Sequence, residues 1–474
     1  MIDVACGRAR TLRAITVAVL LSLAAIPTAE AQTTEIHVPY QAQRYDDDFS
    51  YLADPAKRSD FWDPIKYVPL DESGDVYVSF GGEVRERLDH FDSPLFGLRH
   101  RNSEDDLLHR LLLSADIHLG AQLRAFLQFG DHLEAGKGNL RSPTDLDRLD
   151  VQQAFFDYRS VAGSKDGMTL RVGRQEISLG SQRLVSQRES PNVRRSFDGV
   201  RAFYVDGDAR VDAFITKPVV DKPGFFNDQP DETQLFWGVY AVLPVAFVPG
   251  LHADLYYLGL DRKNASFDEG VGHEERHSLG TRLWGTAQAW DYNTEFVLQV
   301  GSFGRQDILA WTAASDTGFT LQTLPMRPRI GLKADIISGN DNPKGGTLGT
   351  FNPLFPKNAY FTEADLVTPT NLIDLYPTVT AHPAAGVDVN TGVDVLWRES
   401  THDAFYRVPL IPLVRSQQSK ARYIGSEFDL DAGWQIDQHL KVSGAYVHFF
   451  AGPTLTQAHG QDVDYVGVWS SYKF

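Results

Sequence analysis

Residues 273–277 read His-Glu-Glu-Arg-His, a pattern found in zinc proteases. In that pattern two histidines one helical turn apart bind zinc, and the glutamate between them activates a water molecule. The chemistry needs a helix, but Gly270 and Gly272 precede the motif and strand-like alternation resumes directly after it. On an extended strand the two histidines would lie about 13 Å apart, too far to share one ion. We therefore predict a polar loop end here, with no catalytic residue and no metal site.

A second group with chemical potential is a cluster of basic side chains. Between positions 171 and 201 the acids are Glu176, Glu189 and Asp198, and the arginines are Arg171, Arg174, Arg183, Arg188, Arg194, Arg195 and Arg201. Arginine stays charged and can hold a carboxylate through two parallel hydrogen bonds. Such a cluster suits a path for carboxylated solutes. The alternative is that arginine–carboxylate pairs only neutralise and stiffen the structure.

Further basic residues occupy the polar positions of alternating segments. They are Arg85, Arg87, Arg110, Arg124, Arg159, Arg282 and Lys333. Acids in the same phase could pair with them, namely Glu83, Asp116, Asp157, Asp212 and Glu295. If the segments enclose a lumen, these side chains face it, and a basic lining favours anions.

Acidic groups give a weaker indication of a bound ion. Asp46-Asp47-Asp48 lack the spacing of a calcium loop, so we predict a solvated acidic face and no cofactor. Pairs such as Asp145 with Asp147 could bridge lipopolysaccharide through divalent ions, and that alternative stays open.

The elements that must position these residues are strands. Stretches of ten or more residues alternate apolar with polar side chains, as in 291–301, 329–336 and 423–436. Successive side chains of a strand point to opposite faces. Each strand therefore has one apolar and one charged wall, and helical periodicity is almost absent.

Three features favour a membrane barrel over a soluble carbohydrate-binding sandwich. The segments are long enough to cross a bilayer when tilted. Short connections alternate with long ones, the long ones lying around 92–106, 134–149, 179–198, 219–232, 264–273, 340–369, 399–420 and 452–461. Aromatic residues recur near segment ends, as interfacial girdles require: Trp237, Tyr256, Tyr257, Trp284, Trp290, Trp434, Trp469 and Tyr472.

We count about eighteen strands from Val76 to Phe474, forming an all-β transmembrane antiparallel barrel (residues 76–474) after a periplasmic lead-in (residues 32–75). An even number places both termini and the short turns on the periplasmic side. The aromatic last strand, ending at Phe474, is similar to the signal read by the barrel-assembly machinery. Lipid, lipopolysaccharide and that machinery are the expected partners.

The N-terminus predicts export through a cleaved signal peptide, residues 1–31. Arg8, Arg10 and Arg13 precede a short apolar run, and small residues at Ala29 and Ala31 follow it. Cys6, within that peptide, is the single cysteine, so a closed sheet must provide the stability that disulfides often give exported proteins. The formal net charge of −17 argues against nucleic acid as a partner.

Several stretches resemble the bacterial alginate-export family. They are 172–186 (VGRQEISLGSQRLVS), 191–201 (PNVRRSFDGVR), 44–52 (RYDDDFSYL) and 351–361 (FNPLFPKNAYF). The resemblance covers nearly the whole mature chain. It implies an outer-membrane barrel with an electropositive pore that conducts a polyuronate. By position it implies that the pore is lined or shaped by Arg174, Gln175, Arg183, Arg194, Arg195, Asp198 and Arg201.

One departure bears on gating. The family's alginate secretor is described with a long periplasmic loop late in the barrel that plugs the pore, whereas here the turn at Asp437-Gln438 is short. Passage of smaller anionic saccharides in either direction is therefore an equal expectation. We predict a non-enzymatic channel in the outer membrane for an alginate-like anionic saccharide. The alternatives are a general anion or nutrient porin and, with less support, an outer-membrane enzyme.

Overall fold

Eighteen antiparallel strands form one closed barrel, which confirms the predicted fold class and strand number. The structure is a computed structural model that describes residues 40–99, 103–138, 141–161 and 166–474. The predicted signal peptide and the start of the lead-in lie outside the described residues. Three two-residue pieces extend the same sheet at Val68–Pro69, Gln229–Pro230 and Thr347–Leu348.

The barrel strands run consecutively around the wall. Their bounds are β1 Val76–Asp92, β2 Glu104–Leu119, β3 Leu123–Ala135, β4 Asp147–Arg159, β5 Gly167–Gln175, β6 Phe197–Asp206, β7 Ala209–Val220, β8 Gln234–Pro244, β9 Leu251–Phe267, β10 Gly270–Ala287, β11 Trp290–Phe303, β12 Gln306–Thr320, β13 Arg329–Ile337, β14 Leu372–Ala384, β15 Val387–Trp397, β16 Tyr423–Gln435, β17 Leu440–Ala451 and β18 Val463–Lys473.

The ring closes where β1 pairs with β18. The register runs from Glu83 opposite Lys473 to Asp92 opposite Asp464. Closure leaves no strand edge with unpaired backbone groups, which is what a sheet surrounded by lipid requires.

Apolar side chains face outward and polar ones inward, as the alternation predicts. On β11, Phe296 and Leu298 are 52% and 44% exposed, whereas Glu295 and Gln299, which flank this pair, are buried. Exposed leucine, valine and phenylalanine side chains recur on the outer face around the ring, as a lipid-facing band requires. No helix in the described residues is long and apolar enough to span a membrane.

The two ends of the barrel differ. At one end, called the turn end, brief connections such as 207–208, 288–289 and 385–386 join the strands. The other end, called the loop end, carries the long connections, including 176–196, 221–233, 338–371 and 398–422. By the usual asymmetry of such barrels, the turn end is periplasmic.

The predicted long connection at 264–273 is wrong. Phe267 pairs with Gly270, so β9 and β10 continue as a hairpin through residues that the sequence indicated as loop. The stretch 273–277 therefore lies within β10 and is not a polar loop end. The polar side chains did not end these strands, because the hydrogen bonds between β9 and β10 satisfy the backbone groups whatever the side chains are.

Three residues assigned to aromatic girdles point into the barrel instead. Tyr256 donates to Glu295 at 2.6 Å, and the indole of Trp284 donates to Asp254 at 2.8 Å. The guanidinium of Arg87 lies over Trp469, with its carbon 4.8 Å from the ring centre. Position near a strand end suggested a girdle, but the strand phase decides which face a ring takes.

Two long loops fold into the lumen and fill its outer half. Phe355 of loop 338–371 packs on Phe236 of the wall, with ring centroids 4.9 Å apart. From loop 398–422, which contains a small hairpin of Phe405–Arg407 with Ile411–Val414, Phe405 and Tyr406 join the same core. Loop 176–196 crosses the lumen and contacts loop 338–371, since Ser186 N donates to Phe355 O.

The described part of the lead-in, residues 40–75, covers the turn end. It contains short helical turns at Arg44–Asp46, Ser50–Ala53, Pro55–Lys57 and Asp63–Lys66. Two further helical turns, Pro94–Gly97 and Pro453–Thr456, lie in loops at the opposite end.

Candidate substrate path

A continuous series of arginines lines one side of the lumen. We call it the basic wall; its members are Arg85 and Arg87 on β1, Arg110 on β2, Arg124 on β3, Arg159 on β4, Arg171 and Arg174 on β5 and Arg201 on β6. All of these positions except Arg174 share the inward phase of their strands. Arg174 stands three positions after Arg171 on β5 and takes the opposite phase, beside Asp198 at the loop end. All except Arg159 and Arg174 are buried below one-tenth exposure.

Toward the turn end, the basic wall borders a large chamber of about 760 Å³. Arg124, Arg171 and Arg201 each hold a neighbouring aspartate: Nε of Arg171 lies 2.8 Å from Asp157, and Nε of Arg201 lies 2.8 Å from Asp212. Arg159 also lines this chamber. The aspartates fix the guanidinium planes, so much of the local charge is already neutralised.

The lead-in closes the large chamber from the turn end. Tyr45 packs edge-on against the stacked rings of Phe126 and Phe155, with centroid distances of 6.1 and 5.5 Å. The guanidinium of Arg171 lies 4.3 Å from the Tyr45 ring centre, and that of Arg124 donates to the Tyr45 carbonyl. A cation over an aromatic face is attracted by the ring quadrupole, so the basic wall anchors this segment.

Higher on the basic wall, arginines clamp loop 176–196. Arg110, fully buried, donates to the carbonyls of Asn192 at 2.9 Å and Glu189 at 2.8 Å. Arg85 donates to the carbonyls of Glu189 and Pro191, both at 2.9 Å. These two guanidiniums satisfy loop backbone that would otherwise be buried without partners.

Charges within loop 176–196 form their own network. Arg194 lies 2.8 Å from Glu176 and 3.3 Å from Glu189, and also donates to the carbonyl of Ala42. Burial raises the pKa of Glu176 to about 7 despite Arg194. Arg194 and Arg110 hold the pKa of Glu189 far below its usual range.

The other sequence-predicted residues occupy several different places. Arg174 holds Asp198 with two bonds of 2.9 and 3.0 Å, and Gln175 is fully buried beside it. Arg195 lies over Phe355, and burial lowers its pKa. Arg282 lies on the other side of the barrel, on β10, where it pairs with Asp254 of β9 at 2.9 Å. The structure therefore brings Arg174 and Asp198 together and leaves Arg282 apart.

A small chamber of about 340 Å³ has a different character. Its charged lining is Arg183, Arg329, Lys333, Lys357 and the single acid Asp316. Between the charges lie the amides of Asn293 and Asn390, the hydroxyls of Thr378 and Thr380, and the rings of Tyr360, Phe361 and Tyr376. Cations outnumber acids in this lining, whereas acids outnumber cations in the lining of the large chamber.

Two residues of loop 338–371 form a constriction between the small chamber and the loop end of the barrel. Lys357 and Tyr360 line both the small chamber and an outer pocket of about 20 Å³ toward the loop end. Tyr360 is held by Arg183 at 2.5 Å and donates to Asp335 at 2.6 Å. Lys333 Nζ lies 3.7 Å from the Tyr360 ring centre and donates to its carbonyl. The outer pocket has room for about one water molecule, so the path is closed here.

Like Lys333, but unlike Arg183 and Arg329, Lys357 forms no salt bridge within the described residues. Burial, together with the nearby charges of Lys333 and Arg183, lowers its pKa to about 8. Sequence reasoning did not single it out. A lysine among the aromatic and proline residues of 351–361 was the available signal.

Opposite the basic wall stand six acids, which we call the acidic wall. They are Asp335 on β13, Asp374 on β14, Asp394 on β15, and Glu427, Asp429 and Asp431 on β16. Only Asp335, 3.8 Å from Arg183, has a salt bridge among the described residues. Glu427 accepts from Thr362 at 2.6 Å, and Asp429 from Tyr376 at 2.7 Å. The sequence showed the polar phase of β16 but gave no reason to expect a separate acidic face.

The residues of the zinc-protease pattern do not form an active site. Glu274 and Arg276 point into the barrel and pair at 2.6 Å, both fully buried. His273 and His277 point outward, and His273 contacts Asp261 at 3.0 Å. The histidines and the glutamate therefore lie on opposite faces of β10.

The amino-acid sequence of this barrel matches a known family. The model of the family described as "Alginate export" matches residues 76–469, from β1 to β18. The chain belongs to the alginate-export family. No curated protein sequence matches the chain.

Solved Pseudomonas aeruginosa outer-membrane structures share the fold. OccD3 (OpdP) is 13% identical, with 93% of this chain and 99% of that chain covered and a TM-score of 0.56. OccK8 (OprE) and the outer membrane protein OpdK are each 11% identical, with 84% of this chain and 98% of theirs covered and TM-scores of 0.56. At such identities the likeness concerns the fold alone. Family and fold together identify an outer-membrane channel, a class distinct from enzymes.

Proposed function

We propose that this alginate-export family channel passes an anionic saccharide of the alginate type. The observation that carries the proposal is the small chamber, whose lining has four cations and one carboxylate. Arg183 and Arg329 are paired with acids, whereas Lys333 and Lys357 form no salt bridge within the described residues. Cations attract the uronate carboxylates. Amide and hydroxyl groups can exchange hydrogen bonds with sugar hydroxyls, and aromatic rings offer flat apolar surface to the sugar faces.

In this proposal the basic wall has a different role from the small chamber. Most of its arginines are held by aspartates or by loop carbonyls, so they shape the lumen and position loop 176–196. The residues that select the solute are Lys357 and Lys333. Passage requires Lys357 and Tyr360 to move aside, because the outer pocket holds only about one water.

Single-channel recording in planar bilayers tests this proposal. Alginate oligosaccharides should block the current at concentrations where neutral glucans of equal length do not. Lys357→Gln should weaken the block, and Lys357→Arg, which keeps the charge, should retain it. Equal block by uronates and neutral glucans would leave a general porin and overturn the proposal.

A further inference from the structure

A group of carboxylates lies at the loop end of β4, away from the small chamber. Asp147 and Asp150 belong to β4, and Asp228 belongs to loop 221–233. Each offers one oxygen, and the three oxygens lie within 4.8 Å of one another. Like charges this close repel strongly where water is excluded, so the cluster needs a compensating charge.

The neighbouring arginines are engaged elsewhere. Arg174 comes within 3.9 Å of Asp150, but its stronger bonds go to Asp198 at 2.9 and 3.0 Å. Among the described residues, the carboxylates of Asp147 and Asp228 form no salt bridge with a lysine or arginine side chain. The protein therefore brings three carboxylates together without supplying the cations to balance them.

Asp147 gives an independent indication of a ligand. Its side chain is only 3% exposed, and its Oδ1 has no hydrogen-bond partner in the described part of the chain. The adjacent His132 ring is fully buried, with Nδ1 3.9 Å from the other Asp147 oxygen. A buried carboxylate oxygen without a partner costs free energy, which a bound cation would recover.

The cluster also joins two separate segments. The backbone N–H groups of Asn227 and Asp228 donate to Asp150 at 2.6 and 3.1 Å, and Phe226 of the same loop packs edge-on against Phe129 of β3. The carbonyl of Asp228 accepts from Arg174, whose partner Asp198 lies just after loop 176–196. An ion here would fasten loop 221–233 over the base of the loop that enters the lumen.

We propose that Asp147, Asp150 and Asp228 bind one calcium ion that ties loop 221–233 to β4. Calcium accepts irregular sets of hard oxygen ligands, whereas magnesium demands a near-octahedral shell and retains several waters. Three clustered carboxylates from a strand and a loop suit calcium. The site is the same whatever solute the channel carries.

Equilibrium dialysis of the folded full-length barrel in detergent against radioactive calcium tests the site. The wild type should bind one ion per chain. Asp228→Asn should weaken binding about tenfold or more, since ligand charge sets calcium affinity. Glu232→Gln is the matched control; it removes a carboxylate of the same loop that is 72% exposed and paired with Lys217, and it should bind like the wild type. Equal binding by all three chains would mean diffuse surface binding and overturn the site.

Limited digestion with chymotrypsin supplies a second readout, independent of affinity. Phe225 and Phe226 are 63% and 59% exposed and stand directly before Asn227 and Asp228. Calcium chloride should slow cleavage at these phenylalanines in the wild type and in Glu232→Gln, but not in Asp228→Asn. Equal cleavage of the wild type with and without calcium would contradict the proposal that the ion ties loop 221–233 to β4. Equal protection by magnesium would contradict the assignment to calcium.

Discussion

The basic and acidic walls face each other across one lumen, yet their charges are used differently. Each arginine of the basic wall from Arg85 to Arg201, apart from Arg159, contacts an aspartate, a glutamate or a loop carbonyl. Five of the six acids of the acidic wall have no salt bridge within the described residues. In the proposed function, the density of charge along the sequence therefore does not identify the selective charges. The proposal assigns them to Lys357 and Lys333, on the side of the acidic wall.

The largest expected effect comes from breaking the clamp on the basic wall. Arg110→Ala removes a fully buried guanidinium that holds Glu83, Glu189 and three loop carbonyls. Losing one partner of a buried ion pair costs about 3–5 kcal/mol. We expect a lower unfolding midpoint in urea and larger, noisier channel currents as loop 176–196 leaves the lumen.

The control for that experiment is Arg210→Ala. Arg210 is 39% exposed, and its partner Asp212 keeps Arg201, so the change in unfolding free energy should stay below about 1 kcal/mol. Equal destabilisation by both substitutions would show that the clamp on loop 176–196 has no special weight.

A smaller effect is expected at the constriction. Lys357→Gln should raise the blocking constant of alginate oligosaccharides about tenfold, since a hydrogen bond to a charged group contributes about 1.5–3 kcal/mol. Unfolding should be unaffected. If instead Arg171→Lys changes the block as much as Lys357→Gln does, selectivity belongs to the basic wall after all.

The same lysine predicts a pH dependence. Its pKa of about 8, lowered from 10.5, means that the charged form falls from roughly nine-tenths at pH 7 to roughly one-tenth at pH 9. Block by uronates should therefore weaken over this interval, because the positive charge is lost as pH rises. Lys357→Arg should remove this dependence, and an unchanged slope in that variant would exclude Lys357 as its source.

The smallest effect is expected on the acidic wall. Asp394→Asn removes a fully buried charge without a salt bridge, and should raise the chloride-to-potassium permeability ratio about twofold by reducing repulsion of anions. Reversal potentials in a potassium chloride gradient measure this ratio. Asp388→Asn, on the same strand but 62% exposed, should leave it unchanged. Similar shifts in both variants would point to general surface charge.

The sequence predicted the barrel well because its main signals are local. Alternation indicated which residues of β11 or β16 share a face, and Arg110 and Arg124, which it placed in the polar phase, are buried inside the barrel. The prediction of a loop at 264–273 was wrong because backbone hydrogen bonds between the strands, and not side-chain polarity, decide where a hairpin ends. The girdle predictions for Tyr256 and Trp284 were wrong because they were inferred from position near a segment end and not from the inward or outward phase of the strand.

The site was less accessible to sequence reasoning. Arg110 and Glu189 are 79 positions apart, and Lys333 meets Tyr360 only because loop 338–371 turns back into the lumen. No local period encodes such contacts. The resemblance of 351–361 to the family marked the right loop without indicating that Lys357 stands at the constriction.

Arg44 bears on how the ring is completed. It donates to the carbonyls of Gly82 on β1 and Phe474 just beyond β18, the two sides of the seam. Those two residues are nearly a whole chain apart, so this pairing is the most non-local in the barrel and closes late. The two acceptors come within reach of one guanidinium only once the last strand has met the first. The lead-in can therefore dock fully only on a finished ring, and its attachment reports that assembly is complete.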